Sequence, residues 1–374
     1  MTRDLTDPNL YKRYDGDDFI FVVVYVDDLL MLASTDKYKD KWLAEYRSHY
    51  KGTGGEEATN FLNMIVKRDP MSGAFEINQA PYIERVHAKY LGKIAKPRAA
   101  PVDTGRDGAT KFMAMKGATT QAERDAMAGK DFMGLLGSLR YIVDQTRPDC
   151  AFHVSFLGQF MHNPSIVEYD AALDVLSYLH KTRHLKMKYG DTPTMPDIMA
   201  DPPLNDAQFI KENGLHVFSD GSFGSVSYGG FVVMYMNGPI AWASRKIKVQ
   251  VTSSTEAEIC AGVGALKEAK FIRHVLGFLD EPIVGPTPLI IDSDGMWFHT
   301  RNSGVSSLTK HYEKWQNFLR YAFMHRVMSV HKTDGKTGER ADILTKPIPK
   351  EGIEMYKYFR NLILNVSGKE ASDD

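Results

Sequence analysis

Four acidic residues stand where strands end or helices begin in the C-terminal half of the sequence. Asp220 closes the apolar run HVFSD, and Asp292 closes the apolar run PLIID. Glu258 lies inside a long predicted helix, and Asp342 lies where a polar loop leads into another helix. In a mixed α/β sheet such positions meet in one crevice. Four carboxylates there would repel one another strongly, so the sequence predicts a site for two Mg²⁺ ions, with Mn²⁺ as an alternative.

A second acidic pair, Asp27-Asp28, joins two apolar runs near the N-terminus, FIFVVVYV and LLMLA. The runs predict two buried strands of a hairpin with this pair at its tip. A tight hairpin tip usually holds Asn-Gly or Asp-Gly, because the tip residues need a positive φ. Two adjacent carboxylates repel each other, and a hard divalent cation is the simplest group to balance them. An exposed acidic turn without any ion is the alternative.

The elements that position the C-terminal acids follow from the residue pattern after residue 215. Apolar runs predict three consecutive strands, and SSTEAEICAGVGALKEAKFIRHVLGFL predicts a long helix with a serine or threonine N-cap. A buried strand, a helix, a further strand and a final helix beginning at Asp342 complete the pattern. The sequence therefore predicts a mixed sheet flanked by helices.

Upstream of this sheet the sequence alternates between predicted elements and linkers. The predicted elements are a helix at 38–50, strands at 61–66 and 74–77, a helix after Pro81, and two or three amphipathic helices between 131 and 184. A segment rich in Pro, Gly and Ala at 97–116 and a proline-rich segment at 191–213 predict linkers.

The composition of the chain limits the number of domains and the classes of function to be considered. With 374 residues, 43% of them hydrophobic, the chain can bury the cores of two or three domains. A net charge of −1 neither supports nor excludes a nucleic-acid partner. The lone cysteines, Cys150 and Cys260, exclude a disulfide framework and a cysteine zinc site. No apolar run approaches membrane-spanning length and the N-terminus is too polar for a signal peptide, so an intracellular protein is expected, cytoplasmic or nuclear and not secreted.

Several short strings resemble the Pol polyproteins of copia-type LTR retrotransposons. Tyr25-Val26-Asp27-Asp28 is similar to the Y-x-D-D motif of reverse transcriptases, and GSLRYIVDQTRPDCAFHV resembles the segment that connects polymerase to RNase H. Ser219-Asp220, SSTEAE ending at Glu258, and ADILTK at residues 341–346 resemble the RNase H motifs of that family. The resemblance covers roughly residues 7–350.

The resemblance implies an α/β and α+β multidomain protein. A partial reverse transcriptase palm with the YVDD hairpin is expected at 1–104, a helical thumb or connection with a linker at 105–212, an RNase H-like mixed five-stranded sheet flanked by helices at 213–365, and a disordered tail at 366–374. In the family a further polymerase carboxylate comes from an earlier strand. Asp27 and Asp28 are therefore expected to be a polymerase remnant that is inactive in this chain.

The same resemblance implies an enzyme that cuts the RNA strand of RNA/DNA hybrids with two Mg²⁺ ions. Its catalytic and metal-binding residues carry over to Asp220, Glu258, Asp292 and Asp342. Glu256 is the rival of Glu258, because residues two apart on a helix point ~200° apart and cannot both face one metal pair. Glu258 is preferred because Glu258-Ile259-Cys260-Ala261 resembles the E-x-x-A pattern of RNase H helices. The expected partners are an RNA/DNA hybrid and the rest of a Pol polyprotein, and no membrane is expected as a partner. The expected location is the cytoplasm, within a virus-like particle, or the nucleus.

Other assignments stay open. Asp294 is the rival of Asp292, since alternate residues share a strand face. His331 is a candidate auxiliary residue, with a surface histidine as the favoured alternative. Arg140, Arg147 and His162 could contact a phosphate backbone, although a helix-surface charge or a local salt bridge is favoured for each. Two other functions also remain open, an inactive remnant that binds nucleic acid or a Pol partner, and part of a longer active reverse transcriptase.

Overall fold

The computed structural model describes residues 1–92, 97–103, 105, 107–190, 198–199, 214–302, 312–335, 338–348 and 352–366. It divides into two compact units, one of Met1–Leu62 with Ala269–Val284 and one of Asn63–Glu268 with Gly285–Asp374. The predicted disordered tail lies outside the described residues except for residue 366, as does most of the predicted linker at 191–213. No helix among the described residues has both the length and the apolar composition of a membrane span.

The first unit is built on an antiparallel sheet. Its strands pair in sequence order: β1 (Thr2–Arg3), β2 (Leu10–Asp15), β3 (Asp18–Tyr25) and β4 (Asp28–Ala33). Helix α1 (Asp36–His49) begins at the N-cap Thr35 and buries Tyr38, Trp42 and Leu43 in one core with residues of β3. A short strand, β5 (Asn60–Phe61), follows. The predicted hairpin and helix are both present.

Residues late in the chain complete this unit. Ala269–Val284 belongs to it, and Lys12 Nζ donates to the carbonyl oxygen of Phe278 at 2.8 Å and to Asp280 Oδ1 at 3.0 Å. The unit is therefore assembled from two separated stretches of sequence.

The hairpin differs from its prediction at the tip. Tyr25 pairs with Asp28, so the turn consists of Val26 and Asp27, and Asp28 already belongs to β4. Val26 has a φ of 52°, an unusual value for a β-branched residue. The two strands are also buried over a shorter length than predicted. The strands are buried around Ile20 but exposed at the tip, because the core beneath them is small.

The second unit begins with a small sheet and a layer of helices. Strands β6 (Met64–Arg68), β7 (Phe75–Asn78) and β8 (Met187–Tyr189) are antiparallel neighbours. The helices are α2 (Ala80–Tyr90), α3 (Gly108–Met113), α4 (Gln121–Asp125), α5 (Phe132–Gln145), α6 (Ala151–Leu157) and α7 (Ile166–Lys181). Ser165 caps α7: its hydroxyl oxygen accepts from the N–H of Val167, and the Glu168 carboxylate accepts from the N–H of Ser165, as the Asn-Pro-Ser start signal predicts.

Two sequence predictions in this region are wrong in part. The strand predicted at 61–66 is interrupted, because Leu62 and Asn63 have φ values of 50° and 60°, which no extended strand adopts. The segment predicted as a linker at 97–116 contains α3 and buries Ala100, Val102 and Phe112. Proline and glycine there interrupt regular structure without keeping the segment out of the core.

Arg147 is not available to a phosphate backbone. Its guanidinium is wholly buried, donates to both carboxylate oxygens of Asp149 at 2.9 and 2.8 Å, and donates to the carbonyl oxygen of Thr182 at 3.2 Å. The local salt bridge favoured for this residue is therefore present, and the phosphate contact that was left open for it is wrong. Arg140 also pairs locally, with Asp144, while His162 lies exposed.

A mixed sheet forms the other half of the second unit. Its strands are β9 (Ile198–Met199), β10 (His216–Ser222), β11 (Tyr228–Tyr235), β12 (Gly238–Lys246), β13 (Thr287–Ile291) and β14 (Met328–Thr333), in the spatial order β12-β11-β10-β13-β14-β9. β10, β13 and β14 are parallel neighbours, and the remaining pairings are antiparallel. The predicted five-stranded mixed sheet is present, and β9, from the predicted linker, adds a sixth strand at its edge.

The helices of this half are the first part of α8 (Ser254–Phe278), whose residues from Ala269 onward belong to the first unit, and α9 (Asp294–Arg301), α10 (Glu313–Met324) and α11 (Ile353–Leu364). The helix predicted to begin at Asp342 is a short 3₁₀ helix, Arg340–Leu344.

One hydrophobic core joins the helical layer and the mixed sheet. It contains Leu139 and Phe152 from the helices together with Phe218 and Val232 from the sheet. The indole nitrogen of Trp242 donates to the carbonyl oxygen of Val143 at 3.0 Å. Residues on both sides of the predicted domain boundary at 212–213 therefore share this core. The boundary itself stays a prediction.

Candidate metal centre

The mixed sheet brings two predicted acids to one edge. Asp220 lies near the end of β10, and Asp292 directly follows β13. The two strands run parallel, with Phe218 opposite Ile290, so their carboxyl ends lie side by side.

Helix α8 supplies the third acid because it approaches β10 closely. Gly221 has no room for a side chain, since a Cβ there would lie 2.4 Å from the carbonyl carbon of Ala257. The backbone N–H of Gly221 donates to Glu258 Oε2 at 3.0 Å. This contact fixes the Glu258 carboxylate beside Asp220.

Asp220, Glu258 and Asp292 form a carboxylate group. Each offers an oxygen, and these oxygens all lie within 4.8 Å of one another. Asp220 and Glu258 are buried, whereas Asp292 is half-buried. Burial, followed by the charges of Asp220 and Asp292, raises the pKa of Glu258 well above its usual value. Burial and the charge of Asp220 likewise raise the pKa of Asp292. A group that resists ionisation in this way is one that a cation would stabilise.

Asp342 lies beside this group and is linked to it through a lysine. The ammonium of Lys346 contacts Asp342 Oδ1 and lies 3.8 Å from Asp220 Oδ2. The hydroxyl of Thr345 donates to the same oxygen of Asp220. Burial raises the pKa of Asp342 to about 6 although Lys346 opposes the shift. The structure thus brings three of the four predicted ligands together directly and the fourth through Lys346.

The two neighbouring glutamates of α8 have different surroundings. Glu256 Oε2 accepts bonds from the backbone N–H of Thr252 at 2.7 Å and from the Thr252 hydroxyl at 3.1 Å. Its own N–H donates to Ser253 Oγ at 3.2 Å. Glu256 therefore binds the N-terminal end of α8, while Glu258 faces the carboxylate group.

Asp294 and His331 lie outside the carboxylate group. Asp294 is the first residue of α9, and its largely exposed carboxylate contacts Lys332. His331 lies on β14 with its Nε2 atom 2.8 Å from Ser329 Oγ, and only 6% of the residue is exposed. The surface location favoured for His331 is therefore wrong, because β14 is covered on the face that carries it.

Residues close to Asp342 contribute to the centre in ways that the sequence analysis missed. Lys346 and Thr345 contact Asp220 or Asp342, as described above. Glu339 is wholly buried, and its Oε1 accepts from the N–H of Ala341 at 2.9 Å, while no hydrogen bond to its Oε2 is found among the described residues. Burial, then Asp220 and Asp292, raises the pKa of Glu339 well above its usual value. The sequence could have indicated them, because all these residues lie with Asp342 in the run GERADILTK.

Asp27 and Asp28 occupy a different setting in the first unit. Both are exposed, and they line a cleft of about 980 Å³ together with Tyr46, Arg47 and residues of the segment 51–62. Within the part of the chain that the structure describes, they belong to no group of three metal-ligating side chains. A cation at this pair stays a prediction.

The donor set of the larger centre fits hard divalent cations, which prefer carboxylate oxygens. The second unit is therefore an α/β assembly with an acidic centre whose oxygens suit a hard divalent cation.

In sequence, the chain is similar to retrovirus-related Pol polyproteins of transposons. It is 27% identical over 359 residues to the Pol polyprotein from transposon TNT 1-94 of Nicotiana tabacum, and 26% identical over 366 residues to that from transposon RE1 of Arabidopsis thaliana. These alignments cover 94% and 95% of this chain but 25% and 22% of the relatives. The chain spans about a quarter of the length of these curated relatives. The predicted resemblance to retrotransposon Pol polyproteins is confirmed.

No family model matches the chain. Among solved structures, LC11-RNase H1 in complex with an RNA/DNA hybrid is 17% identical, and the match covers 37% of this chain and 96% of that one with a TM-score of 0.28. A TM-score of this size does not establish a common fold.

Proposed function

We propose that residues 213–365 hydrolyse the RNA strand of RNA/DNA hybrids by two-metal catalysis, within a piece of a retrotransposon Pol polyprotein. The observation that carries this proposal is the meeting of Asp220, Glu258 and Asp292, from three separate elements, within 4.8 Å. The sequence relation to transposon Pol polyproteins supports the choice of reaction.

Each acid has a role that follows from its surroundings. Asp220 is near Glu258 and Asp292, and its Oδ2 accepts from the Thr345 hydroxyl and lies 3.8 Å from Lys346 Nζ, so it would be a central ligand of the bound ions. Glu258 is held by the Gly221 N–H. Asp292 is half-buried, which leaves its side of the centre accessible to a phosphodiester.

Asp342 is the remaining proposed ligand, on the side of the centre where Lys346 lies. Two divalent ions, when bound, supply an activated water and stabilise the leaving 3′ oxygen. The chain's own contribution is to hold four carboxylates in fixed positions despite their repulsion. Mg²⁺ is the proposed cofactor, with Mn²⁺ as a substitute, and an RNA/DNA hybrid is the proposed partner.

The first unit is proposed to be part of a reverse transcriptase palm. The YVDD string and its place on an antiparallel hairpin support this assignment. Asp27 and Asp28 are the residues concerned, and they take no part in the nuclease reaction proposed above.

The test compares two aspartates that lie two residues apart. The full chain is incubated with a hybrid that carries labelled RNA, with Mg²⁺, Mn²⁺ or EDTA. Asp292→Asn should lower the cleavage rate by about 10²-fold or more, because it removes a charge that holds the ions. Asp294→Asn is the matched control and should stay within about threefold of wild type, since its carboxylate is exposed and paired with Lys332.

Three results would contradict the proposal. They are cleavage that persists in EDTA, cleavage that Asp292→Asn leaves unchanged, and tight hybrid binding without any cleavage. The last would favour an inactive remnant that only binds nucleic acid.

A further inference from the structure

Lys346 places a positive charge against the acidic centre. Its ammonium contacts Asp342 Oδ1, lies 3.8 Å from Asp220 Oδ2, and belongs to a side chain that is 39% exposed. A divalent ion held by Asp220 and Asp342 would need the same oxygens.

The backbone that carries Lys346 is held firmly in place. Thr345 donates its hydroxyl to Asp220. A Cβ at Gly230 would lie 2.6 Å from Leu344 Cβ, so the chain is packed tightly onto β11 just before Lys346. The side chain is less restricted, because a lysine has a flexible four-carbon stem and this one reaches solvent. Lys346 can therefore change its position without moving the backbone.

We propose that Lys346 is a built-in counter-ion of the acidic centre, which balances Asp220 and Asp342 when no metal ion is bound and turns to solvent when one binds. This inference rests on the proposed metal centre. An ammonium and a metal ion compete for the same oxygens and repel each other. The apparent metal affinity is consequently reduced by the fraction of molecules in which Lys346 occupies the site.

The first experiment measures Mg²⁺ binding to the full chain by isothermal titration calorimetry. Lys346→Met removes the competitor and should lower the Kd about tenfold, equivalent to about 1.4 kcal/mol. Lys346→Arg keeps a cation there and should stay near the wild-type value. Lys357→Met is the control, because Lys357 pairs with the exposed Glu354 on α11, and it should leave the Kd unchanged.

The outcomes separate this inference from the proposed function. If the wild type binds Mg²⁺ and Lys346→Met binds it equally or more weakly, the counter-ion role is wrong and the metal centre stands. If none of the proteins binds Mg²⁺ or Mn²⁺, both proposals fail.

A second experiment needs no variant and therefore does not depend on the folding of one. Lysines of the wild-type chain are methylated reductively with and without Mg²⁺, and the extent at each site is read by mass spectrometry. Labelling of Lys346 should rise severalfold with Mg²⁺, because the amine leaves its carboxylate partners, while labelling of Lys357 should not change. Equal labelling of Lys346 with and without saturating Mg²⁺ would refute the movement.

Discussion

Replacing Glu258 by glutamine should stabilise the metal-free protein and abolish most of its response to Mg²⁺. Glutamine has nearly the same shape as glutamate and keeps an oxygen that can accept the Gly221 N–H. The substitution removes one negative charge from a group of three carboxylates, two of which are buried. Glu256→Gln makes the same chemical change two residues earlier on α8, where the carboxylate binds Thr252 instead.

The size of the effect follows from the separation of the oxygens. Two full charges 4.8 Å apart repel by about 3.5 kcal/mol at an effective dielectric constant of about 20. Lys346 and partial protonation of Glu258, whose pKa is raised by burial, relieve part of this repulsion. We expect Glu258→Gln to raise the free energy of unfolding by about 1–3 kcal/mol at pH 8 without metal. Glu256→Gln should lower it by about 0.3–1 kcal/mol, because a negative charge is lost near a helix N-terminus.

The assay is urea unfolding of the two variants and the wild type, in EDTA and in Mg²⁺. At 100 times the Kd, Mg²⁺ should add about 2.7 kcal/mol to the wild type and much less to Glu258→Gln. The difference in the free energy of unfolding between these two proteins should therefore become smaller or change sign when Mg²⁺ is added. If Glu258→Gln destabilises the metal-free protein, or if both variants respond to Mg²⁺ alike, the assignment of the helix face is wrong.

Three further predictions concern residues outside the carboxylate group. Arg147→Met should lower the free energy of unfolding by about 3–5 kcal/mol in urea, because Asp149 would be left buried without its partner. Gly221→Ala should weaken Mg²⁺ binding measured by calorimetry at least tenfold, since its Cβ would lie 2.4 Å from the carbonyl carbon of Ala257 and force α8 away from β10. Burial lowers the pKa of His153 from 6.5 to about 4, so its contribution to stability is complete above pH 6.5 and is lost as the pH falls toward 4. The wild type should lose up to about 1.4 kcal/mol per pH unit in that window through this residue, and His153→Phe should lose less.

The sequence was sufficient where local periodicity decides the answer. Helical geometry at ~100° per residue separates Glu256 from Glu258, and the structure gives the two residues different partners. The mixed sheet and the helix at α1 also follow from apolar runs and turn residues. These features depend on near neighbours in the chain, which a single sequence displays.

The sequence was insufficient where distant contacts decide the answer. The turn at Val26-Asp27 follows from the pairing register of β3 and β4, which overrides the preference of valine for negative φ. Lys346 reaches the centre, and Glu339 is buried at the start of the same run, because a 3₁₀ helix is packed against β11 and β10. A pattern of residue types does not specify which of several charged side chains in one run face inward.

The division of the first unit between two stretches of sequence has a consequence for synthesis. Its sheet is complete once residue 33 has been made, but Phe278 and Asp280, which bind Lys12, follow much later. The two stretches, Met1–Leu62 and Ala269–Val284, are separated by residues 63–268, which are 206 residues. At translation rates of about 5–20 residues per second the nascent sheet waits roughly 10–40 s for its last segment. During that interval it is an unfinished intermediate, and a ribosome that pauses before residue 284 lengthens its exposure to misassembly and proteolysis.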